Sequence, residues 1–461
     1  MTDAFADLDA HLDATAEARL GDLLELLRIP SVSALPEHAA DCRRAAAWIA
    51  GRLERAGLEH VEMAATGGHP VVYADWLHAQ GAPTIVVYAH YDVQPDDPTE
   101  LWVKPPFDPR VEDGRVYARG AADDKSHVQM LISAAQAWLS VRGRLPVNLK
   151  FILEGEEESG SENLDRWLAA NRDRLRADVA VVSDTGFFEG NLPAITTGLR
   201  GMMYAQLDVV GPHQDLHSGG YGGTVRNPAT VVAEIIAALH APDGHVDVPG
   251  FYDDVRPLAP LERAEFARLP FDEERYTTDL GLDALFGEAG FSTLERRGAR
   301  PTLEVCGLWG GFQGEGSKTI IPAHAHAKLS CRLVPDQDPR RIFELLRERV
   351  CSLAPEGVKV ELALINVGLP TLTPIDHPAT QAAARCIEEV FGVAPLYIRE
   401  GGSIPVAASF GAILGLPVVL LGFINPDCQA HSPNESLRLD NWELGLRTTV
   451  RYWASLAALP R

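Results

Sequence analysis

The sequence predicts an α/β fold, a mostly parallel mixed sheet flanked by helices, with a smaller α+β domain inserted into it. Three observations predict this. Short apolar runs separated by helical stretches occupy both ends of the chain. The middle of the chain switches to residue-by-residue alternation, the pattern of a sheet with one wet face. A chain of 461 residues also exceeds one ordinary compact core. The expected divisions are 1–197 for the first part of the larger domain, 198–367 for the insertion and 368–461 for the second part.

The opening segment carries apolar residues at helical spacing to about Leu27, and Pro30 then breaks it. Four short apolar runs follow that read as buried strands: Thr84 to Ala89, Val147 to Leu153, Val179 to Val182 and Pro417 to Leu421. Within the insertion the pattern gives a strand near Met202–Val210, a helix near Pro228–Leu239 and a strand through Arg332. A helix over Arg340–Leu353 and a strand over Val358–Ile365 complete it. The stretch from Phe251 to Arg300 is rich in charge and proline and yields no role.

Composition excludes several classes. The formal charge of −23 repels phosphate backbones and anionic lipid, so no nucleic-acid or membrane partner is expected. Six scattered cysteines contain no C-x-x-C pair, which argues against a disulfide framework or a cysteine-built zinc site and for reduced core residues. The N-terminus is acidic and amphipathic, unlike a signal peptide, and the run Ala412–Ile424 is too short to span a bilayer. Cytoplasmic residence is the expectation.

In open α/β sheets ligands bind beyond the carboxyl ends of strands, so polar residues directly after buried runs are site candidates. Three runs end in this way, giving His90-Tyr91-Asp92, Glu156-Glu157-Glu158 and Ser183-Asp184. Asp123-Asp124 opens a helical stretch, and Ala430-His431-Ser432-Pro433-Asn434-Glu435 lies in a loop after the last run. Singly, each has a structural reading: His90 as a core histidine, Asp123 and Asp124 as helix caps, the glutamates as a solvated strand end. Jointly they gather several carboxylates at one sheet edge with no counter-charge, which is costly unless divalent cations supply it.

The segments Y-A-H-Y-D-V-Q-P, R-G-A-A-D-D-K, E-G-E-E-E-S-G-S, Ser183-Asp184, D-L-H-S-G-G-Y-G-G and A-H-S-P-N-E occur in this order. Over nearly the whole chain they resemble the dinuclear metallopeptidase family of carnosinases, cytosolic nonspecific dipeptidases, glutamate carboxypeptidase, aminoacylase and desuccinylase, most of all its carnosinase-like dipeptidase branch. The resemblance implies a catalytic domain with an inserted lid and dimerisation domain, a homodimer, and hydrolysis of dipeptides bearing a free carboxylate. It implies two divalent metal ions per chain, with Asp123 bridging, His90 and Asp184 completing one site, and Glu158 and His431 the other. Mixed imidazole and carboxylate donors suit zinc, with manganese or cobalt as alternatives. It further implies Glu157 as general base toward a bridging water, Asp92 behind the second nitrogen of His90, and a cis peptide between Asp123 and Asp124.

For substrate, the resemblance implies His217 as oxyanion donor reaching across a dimer, and Arg332, Thr319, Gly402 and Ser403 as contacts to the carboxylate end. Without it, His217 reads equally as a loop histidine, although the glycines beside it allow close backbone approach. Arg332 reads either as a bidentate carboxylate ligand or as a surface ion pair. His213 is read as structural. Gly314 to Thr319 fails the phosphate-loop spacing and Gly401-Gly402-Ser403 fails the serine-hydrolase order, so both are set aside. Two rivals to the dipeptidase are open at this point: an N-acyl-amino-acid deacylase with the same centre, and a non-catalytic metal- or peptide-binding protein.

Overall fold

The computed structural model describes residues 4–402 and 404–459. Its described residues divide into two compact units, one of 4–197, 373–398 and 404–459, the other of 198–372 and 399–402.

In the first unit, α1 (Ala6–Leu27) buries Leu8, Leu12, Leu23 and Leu26. Helix α2 (Ala39–Ala56) is ended by Gly57, whose φ of 92° is a left-handed conformation that glycine reaches without penalty. The sheet is built from β1 (Glu59–Ala64), β2 (Val71–Trp76), β3 (Thr84–His90), β4 (Asn148–Glu154) and β5 (Val179–Val182), joined by the strands Val418–Leu420 and Ala194–Leu199. Its order is β1-β2-β4-β3-β5, then Val418–Leu420, then Ala194–Leu199. The pairs β4–β3, β3–β5 and β5 with Val418–Leu420 are parallel, and the pairs outside them run antiparallel. The parallel part is therefore the centre, where both faces are covered and continuous apolar runs are needed. Ile85, Val87 and Ala89 join one core cluster with helix α3 (Lys125–Arg142), while Tyr88 on the opposite face meets Phe410 edge-on at 5.8 Å.

The second unit carries a four-stranded antiparallel sheet in the order Thr302–Gly310, His324–Leu333, Gly201–Val210, Lys359–Gly368. Burial along Gly201–Val210 alternates residue by residue. Met203, Ala205, Leu207 and Val209 pack on Val231 and Ile235 of the helix Pro228–Ala238 and on Ile342, Leu346 and Val350 of the helix Pro339–Ser352. Truncating a fully buried residue such as Leu346 to alanine costs about 2–5 kcal/mol. His324, His326, Lys328 and Arg332 point to the face away from those helices. The segment without a sequence-level role forms three short helices, Pro260–Arg268, Glu273–Asp279 and Thr293–Ala299.

No helix among the described residues is long and apolar enough to cross a membrane. The six cysteines are unpaired, and the core expectation holds for four of them. Cys306 and Cys351 are exposed instead, Cys306 on an edge strand and Cys351 in the last turn of an amphipathic helix.

Candidate metal centre

The parallel centre of the sheet positions the first group of polar residues. His90 is the last residue of β3 and registers against Glu154, the last of β4, while Tyr88 registers against Val182, the last of β5. Parallel strands put their carboxyl ends on one edge, so His90, the Glu157–Glu158 turn after β4 and Asp184 after β5 emerge together. Gly155 makes the exit from β4 possible, because a Cβ there would lie 2.3 Å from the Tyr91 hydroxyl.

His90 is fully buried, and its Nδ1 lies 3.1 Å from the Asp92 backbone carbonyl, the donor arrangement that leaves the lone pair on Nε2. That Nε2 has no hydrogen-bond partner, yet it sits 3.0 Å from Asp123 Oδ1 and 3.7 Å from Asp184 Oδ1. A nitrogen so close to carboxylate oxygens needs a cation there, either a proton on the ring or a metal ion. The other oxygen of Asp123 lies 3.0 Å from His431 Nε2, which is itself 3.3 Å from Glu158 Oε2. Asp123 thus presents one oxygen to each of two ligand sets.

The ligand atoms of His90, Asp124 and Asp184 fall within 4.8 Å of one another, as do those of Asp123, Glu158 and His431. Asp124 is nevertheless committed elsewhere. Its Oδ2 accepts the His90 N–H at 3.0 Å and its Oδ1 accepts from His127 Nδ1 at 2.5 Å. Asp123, by contrast, turns one oxygen toward His90 and the other toward His431. The Asp123–Asp124 peptide is cis, the arrangement that the resemblance implies.

Electrostatics make the same point. Burial raises the Asp184 carboxyl to about 7 despite the attraction of His90, with Asp124 and Asp123 adding to the rise. Burial likewise pushes Glu157 well above the usual carboxylate range, the pull of His90 being outweighed as Asp184, Asp92 and Glu158 add their charges. Asp123 resists its own burial only because His431 and His90 hold it low. Two dications would balance such a cluster, and the imidazole and carboxylate donors fit zinc, manganese or cobalt.

The Asp92 carboxylate stands beside the His90 ring and has a second task. Its Oδ1 is 3.4 Å from His90 Nδ1, farther than its own backbone carbonyl. Its oxygens also accept the N–H groups of Glu157 and Glu158, at 3.2 and 3.0 Å, and Oδ2 accepts from Ser33 Oγ at 2.6 Å. The short strand-to-turn spacing makes the backbone carbonyl the nearer acceptor, so the side chain fixes the turn bearing both glutamates.

Other supports escaped sequence reasoning. The buried Glu435 carboxylate accepts the N–H groups of Gly120, Ala122 and Asp123 at 2.8–3.0 Å and pairs with Arg119 at 2.9 Å, tying the His431 loop to the Asp123 loop. Gln94 Nε2 donates to Glu158 Oε2 at 2.7 Å. His127 bonds Asp124 through Nδ1 and accepts the Phe423 N–H at Nε2, which requires the neutral ring, and burial lowers it to about 4. The motifs containing Glu435 and Gln94 mark them as candidates, but backbone donors carry no sequence signal. Glu156 is held outside the cluster by Asn163 Nδ2, at 3.1 and 3.0 Å.

The expected substrate contacts belong to the second unit. His217 and Thr319 are brought together on a two-stranded ribbon in which His217 registers against Ile320, and the Ser218 N–H donates to the Thr319 carbonyl. His217 Nδ1 accepts from the N–H groups of Gly219 and Gly220 at 3.0 and 3.2 Å, so its proton resides on Nε2. Arg332 is half-buried on the wet face of the sheet, and no carboxylate pairs with it among the described residues, contrary to a surface ion pair. Gly402 is exposed in the turn after Glu400, with open space where a Cβ would stand. Ser403 lies outside the described residues.

Comparison with known proteins follows the same lines. Residues 86–455 match the profile of Peptidase family M20/M25/M40. The chain is 35% identical over 396 residues to the Cys-Gly metallodipeptidase dug1 of Schizosaccharomyces pombe, covering 85% of this chain and 83% of that one. It is 33% identical to the human Beta-Ala-His dipeptidase, over 85% of this chain and 78% of that protein. Among solved structures, the M20 family metallo-carboxypeptidase Sso-CP2 from Sulfolobus solfataricus superposes with a TM-score of 0.83 at 33% identity, covering 96% of this chain and 99% of that one. The chain belongs to peptidase family M20/M25/M40.

Proposed function

We propose that this protein is a metal-dependent dipeptidase that hydrolyses dipeptides with a free C-terminal carboxylate. The observation that carries this reading is the Asp123 carboxylate, with one oxygen 3.0 Å from His90 Nε2 and the other 3.0 Å from His431 Nε2. His90, Asp123 and Asp184 would hold one divalent ion, and Asp123, Glu158 and His431 a second. Zinc is the favoured ion, with manganese or cobalt able to replace it. Bound together, two such ions polarise the scissile carbonyl and acidify a water.

The chain's own residues supply the remainder. Glu157 takes a proton from the attacking water and delivers it to the departing nitrogen, so that the new C–O bond forms as the C–N bond breaks. Asp92 fixes Glu157 and Glu158 through their N–H groups. His217, with Nδ1 occupied and Nε2–H outward, donates to the oxygen that gains charge, contributed from one protomer to its partner in a homodimer. Arg332, Thr319, Gly402 and Ser403 receive the substrate carboxylate, Arg332 as a two-pronged donor. In this reading 1–197 with 368–461 is the catalytic domain, 198–367 is the lid and dimerisation domain, and the protein is cytoplasmic.

The test is a metal-analysed preparation assayed on a dipeptide panel beside N-acetyl and N-succinyl amino acids, before and after chelation. Hydrolysis of dipeptides with a requirement for the free α-amine, lost on chelation and restored by zinc, manganese or cobalt, is the expected result. Turnover of the acylated amino acids alone would make the protein a deacylase. Bound metal with no hydrolysis of any small amide would make it a binding protein.

A further inference from the structure

The second unit contains a cavity of about 470 Å³, a volume that fits a small ligand. Among the described residues lining it are Arg200, Arg296, Arg297, Arg300 and Arg332 against only Glu288 and Glu304. The wall thus has a surplus of three positive charges in a chain whose formal charge is −23. Within that balance Glu288 is already paired: it takes both prongs of Arg300, at 2.7 and 2.6 Å, and its backbone carbonyl accepts from Arg296 Nε at 2.9 Å. The guanidinium of Arg297 lies 5.5 Å above the Tyr276 ring at the exposed rim.

Arg200 stands deeper and donates toward the carbonyls of Arg296 and Arg300 at 3.5 and 3.4 Å. Burial, and after it the charge of Arg332, pull its guanidinium down to about 10 against the attraction of Glu304, with Arg297 adding to the fall. Holding these cations side by side costs free energy that an anion between them would return. The cavity also adjoins the turn that carries Gly402. A Cβ on Gly401 would come within 2.7 Å of Arg200 Nη2 and 3.1 Å of the Arg297 carbonyl, so glycine there lets Arg200 reach the cavity wall.

We infer that this arginine-lined cavity binds a carboxylate additional to the main-chain carboxylate assigned to Arg332, so that dipeptides ending in aspartate or glutamate are favoured substrates. The inference rests on the dipeptidase reading and gives a role to two of the short helices between 251 and 300 and the loop joining them, which supply Tyr276, Glu288, Arg296 and Arg297. Guanidinium forks match carboxylates in shape as well as charge, and glutamate and glutamine have nearly the same volume. A glutamate-over-glutamine preference therefore measures charge recognition alone.

The experiment compares kcat/KM for glycyl-glutamate and glycyl-glutamine in the metal-loaded enzyme, in Arg297→Gln, and in a control, Arg347→Gln, whose arginine pairs with Glu344 on an exposed helix face. The expected wild-type ratio is about tenfold or more in favour of glutamate, falling about tenfold in Arg297→Gln and holding in the control. A wild-type ratio near one, or a ratio that Arg297→Gln leaves intact, overturns the inference while leaving the dipeptidase standing. Calorimetry with glutarate and butyrate is run on the same three proteins. If no dipeptide is turned over, the dipeptidase reading fails by itself, and the cavity is then judged by whether glutarate binds more tightly than butyrate and loses that advantage in Arg297→Gln. Equal binding of the two acids overturns the anion site as well.

Discussion

The two units hold their polar residues in opposite ways. In the first, Asp92, Asp124 and Glu435 are buried, and each is fixed by backbone N–H groups from segments far apart in sequence. In the second, His217, Thr319 and Gly402 are exposed and Arg332 half-exposed, on a ribbon, a turn and a wet sheet face. Buried groups held by many bonds are preorganised and costly to alter, while exposed ones are free to meet a ligand and cheap to change. The lesson is a division of kinetic labour: substitutions in the first unit should strike kcat and metal content, and those in the second KM and selectivity.

The sharpest attempt to break that division is Glu157→Gln. It should retain two metal ions per chain and lose on the order of a hundredfold or more in kcat, measured by metal analysis and steady-state assay. Unchanged turnover would reject the base assignment. Glu435→Gln comes next, since it weakens the carboxylate that ties three N–H groups of the Asp123 loop; metal affinity should fall about 10- to 100-fold by competition with a chelator, although Glu435 is not itself a ligand. In the second unit Arg332→Lys should raise KM for dipeptides about tenfold with kcat and metal content nearly unchanged, because the point charge survives and the fork is lost. A fall in metal content there would erase the contrast. The smallest effect is expected from Ser33→Ala, which removes one hydroxyl donor from the Asp92 carboxylate. A loss of about 2 kcal/mol in the denaturant stability of that unit, with kcat reduced only a fewfold, is the outcome to check.

The parts legible in sequence are those where one residue type and one period decide the outcome. The continuous apolar runs of β3, β4 and β5 read as buried parallel strands, and the polar residues following them read as a site, because strand direction alone sends them to one edge. The alternation through Arg332 likewise gave its face. What resisted is what the backbone does. The groups that occupy Asp92 and Asp124 are backbone N–H groups, which every residue carries, so nothing in the side chains announces that Asp92 anchors a turn as well as lying beside the His90 imidazole. The helices between 251 and 300 are short and rich in charge, and Arg296 and Arg297 acquire meaning only when the fold lines them along one cavity with Arg200 and Arg332.

The most direct measurement is an anomalous difference map from crystals grown with zinc. Two peaks roughly 3.5–4 Å apart are predicted, both in contact with Asp123, one also bonded to His90 and Asp184 and the other to Glu158 and His431. A single peak in an active enzyme, or peaks beyond bonding distance of Asp123, would contradict the account.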